Sequence, residues 1–588
     1  MIHRSSRGAG SSERAFLAVT LLLLVVGMLA TAWVLVRGTI AYQHLAAVHT
    51  ALAEATSAVD DPVAWADDLA STADDVAAAH ALTDDPVWTA AGALPWIGPH
   101  LRAMASVASA GDRALDALDQ LREVASALSS GSLRASDGGY DVARLASWEP
   151  AARSAALALE VASSELSAAA SADLRGSVAD ELARAREMVT RAHDEADALH
   201  RTTRLLPDML GADRARSYLV VFQNDAEWRS LGGIVGAVAQ IDTDRGRVRL
   251  TAQASSTEFR GAGAAPVAEL PDGLRALFDD RPARFVQNVT QVPDFSVGAP
   301  LAREMWRRQH GTEVDGVIAV DPVALSYLLR ATGPVTLPSG DVLTSENAVP
   351  LLLDEVYRRY PDPTHQDAFF QSASSAVFEA VAGGRVELRA LADALDRAGR
   401  ERRILVWNAD PAEQAMLDGT TLQGALPAVD GGRTVFGVYV NDGTGSKMDY
   451  YMRLGVAASW CSPSSAALQV TLRNEAPDPA TLPDYVTGGG RYGVPVGHTL
   501  TGVYVYLPPG ASVTHQRATG EGAASGFAGG RDRGRDVLKW SVRLAPGQSA
   551  TLDLRVATPA TDILETLTTP TIHAVDTPVG GAICANEG

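Results

Sequence analysis

The residues best suited to chemistry lie in a polar segment, residues 223–233, that follows a run of apolar residues. Two amides, two acids and an arginine occur close together there, and the segment ends in Gly232 and Gly233. Such side chains at the end of a strand suit a polar or anionic ligand, and glycines let a ligand approach the backbone. The alternative is that these groups cap one another and stabilise a tight turn. The candidate ligand-binding and catalytic residues are Gln223, Asn224, Asp225, Glu227 and Arg229.

A second polar cluster occupies residues 357–367. Its adjacent arginines, Arg358 and Arg359, can hold a phosphate through paired hydrogen bonds, and the helix expected after them adds backbone donors. An exposed connection between two helices explains the same residues without a ligand. The other candidates here are Asp367 as a catalytic base and His365 and Gln366 as ligand-binding residues.

A third, weaker candidate is the loop of residues 287–295, in which Asn288 could contact a ligand. A surface loop with no ligand is the favoured interpretation, since loops are commonly rich in amides and acids.

The sequence lacks the strong signatures of common enzymes. It has no phosphate-binding Walker loop, no glycine-serine-glycine nucleophile elbow and no paired histidines with zinc spacing. Magnesium is the one cofactor that the acids suggest, with Asp225 and Glu227 as ligands, because such a site needs only one or two carboxylates beside substrate phosphates.

The first element of the chain is an apolar stretch, residues 15–36, that contains no charged residue. A helix of that length, at about 1.5 Å per residue, crosses a hydrocarbon core of about 30 Å. Arginines precede it, so the positive-inside rule puts residues 1–14 in the cytoplasm and the rest of the chain outside the cell membrane. A cleaved signal peptide ending at Ala30-Thr31-Ala32 is the alternative.

Composition and charge limit the classes of function. The 588 residues are too many for one core, so two or three domains are expected. The net charge of −20 disfavours nucleic-acid binding, because it repels a phosphate backbone. Cys461 and Cys584 are the only cysteines, and an oxidising compartment would let them form a disulfide, although two thiols that never meet is the alternative.

Changes in periodicity along the chain predict a multidomain protein. Residues 40–205 are rich in alanine and read as a helical stalk or bundle, with helices starting at Asp61-Pro62 and Asp85-Pro86. Residues 206–430 alternate strand and helix patterns, which predicts an α/β domain with a mixed sheet. Residues 431–588 carry strand-like runs between Gly/Pro-rich turns, which predicts an antiparallel β-sandwich.

Four motifs carry a resemblance to a known family. They are residues 218–233, 314–322, 332–335 and 441–450. With them the chain, over roughly residues 205–588, resembles the domain of unknown function 4012 family of bacterial membrane-anchored proteins. That resemblance implies a membrane-anchored protein and no particular activity.

More distantly, the α/β part looks like the LytR-CpsA-Psr family. Those exported phosphotransferases move glycopolymers from a polyprenyl-pyrophosphate carrier onto the cell wall. Asp225 and Arg229, residues 315–320, residues 332–335 and residues 358–366 occur in the same order as in that family. The resemblance implies a similar α/β fold and a lipid-linked glycopolymer as substrate.

Two hypotheses follow for the function. In the first, Arg229, Arg358 and Arg359 hold the pyrophosphate, Asp225 or Glu227 binds magnesium, and Asp367 activates the acceptor hydroxyl.

In the second, the protein is a non-catalytic cell-envelope module that binds a wall glycan or a protein partner. Departures from the phosphotransferase pattern favour this version, since residues 256–260 stand in place of a Pro-Arg-Asp triplet and His365-Gln366 replaces an Arg-Gln pair. Convergence of Asp225, Arg229 and Arg358 with His365 in one pocket would instead favour the enzyme.

Overall fold

The fold is taken from a computed structural model. It describes residues 9–57, 62–129, 133–135, 138–170, 174–259, 265–383, 386, 388–428, 432–522, 526–575 and 584. Residues 1–8 of the expected cytoplasmic tail, the expected cap Asp61, and Arg260 lie outside these ranges. The chain divides into two compact units, the first formed by residues 1–127 and 144–204 and the second by residues 128–143 and 205–588.

The first unit is helical in its described part, as the alanine-rich sequence predicts. The helices that begin between residues 9 and 177 are α1 (Ala9–Ser57), α2 (Pro62–Thr83), α3 (Pro86–Gly92), α4 (Gly98–Gln120), α5 (Arg122–Ser129), α6 (Val142–Ser147), α7 (Glu149–Ala170) and α8 (Ser177–Met209). One helix in the described part of the chain is long and apolar enough to cross a membrane, over Leu24–Ala47 of α1.

In this unit, capping residues fix where a helix starts, and small side chains allow the helices to pack closely. Asp85 caps α3, accepting hydrogen bonds from the backbone of Val87 at 2.7 Å and Trp88 at 2.9 Å, as the Asp-Pro pair predicts. The core between α4, α7 and α8 is built largely of alanines, which let helices approach closely.

The second unit contains the mixed sheet that the sequence predicts. Its strands, with a separate two-stranded hairpin formed by β5 and β6, are β1 (Arg216–Arg229), β2 (Gly232–Asp244), β3 (Arg247–Ser255), β4 (Gly316–Val320), β5 (Val335–Thr336), β6 (Val342–Leu343) and β7 (Ile404–Asn408). The order is β3-β2-β1-β4-β7, in which β1 and β4 are parallel and the other neighbours are antiparallel. A parallel pair brings the carboxyl ends of both strands to one edge, where ligands commonly bind.

Helices cover the sheet because β1 carries apolar side chains on both of its faces. Leu219 and Val221 pack into a core with Phe295 and Trp306. The helices of this part are α9 (Asp272–Phe278), α10 (Arg281–Arg284), α11 (Phe295–His310), α12 (Pro322–Thr332), α13 (Ala348–Pro350), α14 (Val356–Arg359), α15 (Pro363–Ala382), α16 (Leu388–Arg400) and α17 (Pro411–Ala415).

Two more sheets follow toward the C-terminus. Their strands, with one short helix, α18 (Asp484–Thr487), are β8 (Arg433–Asp442), β9 (Met452–Ser462), β10 (Ser465–Asn474), β11 (Thr499–Tyr506), β12 (Ser512–Gly520), β13 (Phe527–Asp532), β14 (Arg535–Leu544), β15 (Ser549–Ala557) and β16 (Ile563–Thr568). The orders are β12-β15-β10-β9 and β13-β14-β11-β8-β16. The expectation of purely antiparallel strands is wrong at one place, because β16 pairs with β8 in parallel. Cys461 of β9 forms a disulfide with Cys584.

Candidate functional site

The site begins at an irregularity in β2. Phe222 pairs with Ala237 and Gln223 pairs with Val235, so Gly236 is an extra residue without a partner in β1. This is a β-bulge, a feature that often lies beside binding sites because it redirects neighbouring side chains.

A longer bulge follows in β1. Asn224 pairs with Ile234 and Trp228 pairs with Gly233, which leaves residues 225–227 without partners in β2. The acids at the two ends of this bulge therefore serve two different polar clusters, one around Asp225 and one around Glu227.

A cavity of about 80 Å³ lies where β1 and β4 end, between the sheet and the helices α12 and α15. Its lining is mostly apolar, and no lysine or arginine lines it among the described residues. Of the residues predicted from the sequence, Gln223, Asn224 and Asp367 line it. The other lining residues are Phe222, Gly236, Ala237, Ser255, Val320, Asp321, Pro322, Leu325, Leu352, Leu353, Phe370, Gln371, Ala373 and Ser374.

One wall of the cavity is a turn of π-helix. Thr344 accepts hydrogen bonds from the backbone of Glu346 and Asn347, as at the start of a helix. Between α13 and α14, however, residues 351–355 form a wider π-turn, and Leu352 and Leu353 of that turn face the cavity. Single π-turns are rare and are frequent at functional sites.

The amides at the cavity are only partly satisfied. Gln223 accepts a hydrogen bond from the backbone of Gly233 at 2.8 Å through Oε1, but its buried Nε2 has no hydrogen-bond partner within the described part of the chain. Asn224 accepts one from the backbone of Ala226 at 3.1 Å and donates one to the hydroxyl of Tyr357. Both amides thus stabilise the turn and line the cavity, and the free Nε2 of Gln223 is a donor for a ligand.

The two glycines serve the protein's own backbone. A Cβ at Gly233 would lie 2.2 Å from the carbonyl carbon of Asn224, and one at Gly232 would lie 2.5 Å from Oε1 of Gln223. Gly232 also has a φ of +127°, which strongly favours glycine. The expectation that these glycines admit a ligand is therefore wrong, since residues 223 and 224 fill that space.

Asp225 is fully buried beside Asp321, the acid that lines the cavity and caps α12. Nη1 of Arg403 lies 3.9 Å from an oxygen of Asp225, which is beyond hydrogen-bond distance. Arg403 donates instead to Asp321 at 2.7 Å and to Glu401 at 2.6 Å. Burial and the nearby Asp321 raise the pKa of Asp225 well above its ordinary value, which favours the protonated form of its carboxyl.

Glu227 lies in a separate buried cluster, paired with Lys447. The ammonium group of Lys447 lies 5.5 Å from the ring centres of Tyr357 and Tyr485. Burial opposes the charge of Lys447, but Glu227 and the two rings together raise the pKa of Lys447 above its ordinary value.

The motif of residues 441–450 supplies the other half of this second cluster. Asp449 accepts a hydrogen bond from the backbone of Trp228 at 2.7 Å, and Asn441 accepts one from Ser230 at 3.1 Å. Burial and the neighbouring Asp442 raise the pKa of Asp449. Two motifs far apart in the sequence therefore join the mixed sheet to β8.

Arg229 is also part of this second cluster. Its side chain donates to the carbonyl of Trp228 at 2.8 Å and to Oδ1 of Asn288 at 3.0 Å. Arg229 and Asn288 thus contact each other, and neither lines the cavity.

The adjacent arginines are held at the surface. Arg358 donates to Asp354 at 2.9 Å and to the hydroxyl of Tyr451 at 2.9 Å. Arg359 donates to Asp341 at 2.6 Å and to Glu355 at 2.8 Å.

The start of α15 is likewise satisfied by the protein itself. Asp362 caps the helix and accepts from the backbone of Thr364 at 2.9 Å, which occupies the end at which a phosphate was expected. His365 is exposed beside the ring of Tyr360, and Gln366 donates to the carbonyl of Tyr360 at 2.8 Å.

The proposed magnesium ligands do not meet. Asp225 faces Asp321 and Glu227 pairs with Lys447, on opposite sides of the bulge. Within the described ranges no three side chains of His, Cys, Asp or Glu form a group that could hold a metal ion.

Sequence reasoning missed Asp321, Arg403, Lys447 and Asp449 as members of these clusters. Asp321 could have been found, because it precedes a proline at the end of a buried strand parallel to β1. Lys447 carries no local signal, since its partner Glu227 is 220 residues away in the sequence.

Comparison with known families bears on the sheet and the cavity. Residues 213–357 match the model of a family described as protein of unknown function, DUF4012, which confirms the sequence resemblance over that range. No curated protein matches the chain. The matched range contains β1, β2, β4 and the π-turn, and thus most of the cavity wall, and it brings no activity with it.

Proposed function

We propose that this protein is a membrane-anchored cell-envelope module that binds a lipid or lipid-linked molecule without transferring it. Part of the hydrocarbon chain would occupy the cavity at the ends of β1 and β4. The observation that carries this proposal is the lining of that cavity, which is mostly apolar and includes carboxylates but no cation among the described residues.

The charges argue against a phosphotransferase. Stabilising a reacting pyrophosphate requires several cations around it. The expected cations are engaged elsewhere, Arg229 with Asn288 and Arg358 with Asp354. Asp367 would repel a phosphate placed in the cavity, whereas Asp321 is already paired with Arg403.

Two finer features of the fold are proposals as well. The likeness to LytR-CpsA-Psr proteins is supported by the order of the motifs. A sandwich of the two C-terminal sheets is supported by the core that Val440, Leu468, Trp540 and Val556 share.

The membrane anchor determines on which side of the membrane the protein would bind its ligand. Residues 15–36 of α1 would span the membrane with the N-terminus in the cytoplasm, because the arginines lie before the span. An enzyme reporter that is active only outside the cytoplasm, fused after residue 588, should be active, whereas activity of a cytoplasm-only reporter would refute this topology.

Filling the cavity tests the binding role. A Cβ at Gly236 has no atom within 4 Å, so Gly236→Leu adds volume beside the cavity without a clash at Cβ. We expect it to lower the affinity of the purified chain for polyprenyl phosphate by about tenfold or more, measured in detergent with a radiolabelled ligand.

Gly526→Leu is the matched control for this test. Gly526 is exposed, lies outside the cavity and likewise has no atom of the described residues within 4 Å of an added Cβ, so binding should be unchanged. Equal affinity for all three proteins would refute the cavity as the site, and binding of a wall glycan but no lipid would refute the ligand class.

A further inference from the structure

The turn between α3 and α4 exposes an unusual set of apolar side chains. Trp96 is 88% exposed, and Leu94 and Ile97 are 49% and 52% exposed. This turn comes from the segment Gly92–Pro99, whose glycines and prolines interrupt the helical pattern. Exposed apolar groups clustered on one turn mark a contact surface rather than ordinary surface variation.

The neighbouring contacts locate where α1 leaves the membrane. Arg37 of α1 donates to the carbonyl of Leu82 at 2.8 Å and lies 3.2 Å from Asp85. Trp33 donates to Asp85 at 3.3 Å. Beyond Trp33, one face of α1, which includes the buried Val34 and Ala41, packs against the neighbouring helices, so the outer edge of the span lies near Trp33, although the apolar stretch extends to Ala47.

The helix registers place the exposed turn at the same depth as Trp33. Asp75 of α2 contacts His44 of α1 at 2.7 Å, and α4 passes the adjacent Val76 at Gly111. From Gly111 back to the start of α4 is about 20 Å along the helix. From His44 back to Trp33 along α1 is about 16 Å.

We infer that the turn of residues 93–97 inserts into the outer interface of the same bilayer that α1 crosses. Tryptophan is favoured at that interface because its ring is apolar and its N–H is polar. Leu94 and Ile97 supply the apolar area that a shallow insertion buries. The inference rests on the proposed span of α1, and it adds a second membrane contact that holds the helical unit against the surface.

Basic residues at the same end of the unit fit this contact. Nε2 of His100 lies 3.3 Å from the backbone nitrogen of Arg175, which brings the residues just before α8 to the start of α4. Arg175 and Arg102 thus lie near the lipid headgroups, where positive charge is attracted to anionic lipids.

Site-specific fluorescence in lipid nanodiscs tests the inference. The native cysteines form a disulfide, so a single new cysteine, Ile97→Cys, can carry an environment-sensitive NBD dye on the full chain. We expect blue-shifted emission and quenching by bromolipids of about half or more of that at Leu29→Cys, a position inside the span, since an interfacial turn lies shallower.

Leu157→Cys is the matched negative control. Leu157 is 52% exposed, the same as Ile97, but it lies on α7. Because α7 runs antiparallel to α4, with Glu165 beside Ser109 at 3.2 Å, Leu157 is about 30 Å farther from the membrane than Ile97 by helix rise. Its dye should be unquenched.

The outcomes separate the inference from the anchor. If the dyes at positions 29 and 97 both remain in water, the proposed span itself is wrong. If position 29 is quenched and position 97 is not, the span holds and the inserted turn is wrong. Shielding of position 97 in native membranes but not in nanodiscs would point to a protein partner and would also overturn the inference.

Discussion

The two acids at the ends of the bulge in β1, Asp225 and Glu227, lie in different electrostatic surroundings. At one end, Asp225 is buried next to the second acid Asp321, close to a cavity lined by Gln223, whose Nε2 lacks a hydrogen-bond partner among the described residues. At the other end, Glu227 is buried against Lys447 in a cluster joined to β8. The first region lines the cavity in which binding is proposed, whereas the second region joins the mixed sheet to β8.

The largest effect is expected where the joining cluster is broken. Lys447→Ala leaves Glu227 buried and unpaired, which should lower the free energy of unfolding by about 3–5 kcal/mol. Urea unfolding of the purified chain in detergent, followed by tryptophan fluorescence, measures it.

The chain provides its own control for that change. Lys539 is the other lysine of the sequence and lies over the ring of Tyr504 at 5.1 Å, so Lys539→Ala should cost less than about 1 kcal/mol. Replacing both partners, Glu227→Gln with Lys447→Met, should recover part of the loss. If Lys447→Ala and Lys539→Ala lowered the free energy of unfolding by the same amount, the structural role given to the Glu227–Lys447 pair would be wrong.

A smaller, pH-dependent effect is expected at Asp225. Its pKa is raised in the folded state, so the stability that the protonated form contributes is complete below the ordinary pKa of 3.8 and is lost as pH rises through the folded pKa. Asp225→Asn should remove this loss, with a difference in slope of at most about 1.4 kcal/mol per pH unit.

Unfolding of the wild type and of Asp225→Asn across a pH series above 3.8 measures the difference. The variant should gain stability relative to the wild type as the pH rises. A constant difference at every pH would mean that Asp225 is ionised in the folded protein.

The smallest effect is expected at the surface arginines. Arg358→Ala and Arg359→Ala remove exposed ion pairs and should each cost less than about 1 kcal/mol. Neither should change the affinity for polyprenyl phosphate, measured with the same radiolabelled ligand. A large loss of binding in either variant would bring back the phosphotransferase hypothesis and place the site outside the cavity.

Local sequence patterns predicted those helices and strands that are determined by periodicity and capping residues. The apolar stretch of residues 15–36, the capped start at Asp85-Pro86 and the strand ending at Val320 are all present where periodicity and caps indicate them. The exposed strands β12 and β13 were missed, because polar and glycine-rich runs carry no alternating apolar signal.

Of the residues predicted for the site, Gln223, Asn224 and Asp367 line the cavity, and the other lining residues were not among the predicted ones. Gln223 and Asn224 line the cavity as expected for a strand end, whereas Arg229, five residues beyond Asn224, does not. The bulge of residues 225–227 breaks the two-residue alternation that would otherwise tell which side chains share a face. Pairings such as Glu227 with Lys447 depend on tertiary structure, which no spacing along the chain encodes.

Helix α1 continues without interruption from its apolar part to Ser57, and α2 and α3 pack along it beyond Trp33. If it crosses the bilayer as proposed, it acts as a stiff lever. The portion outside the membrane is about 31 Å long, so a change in tilt of about 10° moves its far end by about 5 Å. A change in bilayer thickness, which changes the tilt of the helix, would then move the helical unit.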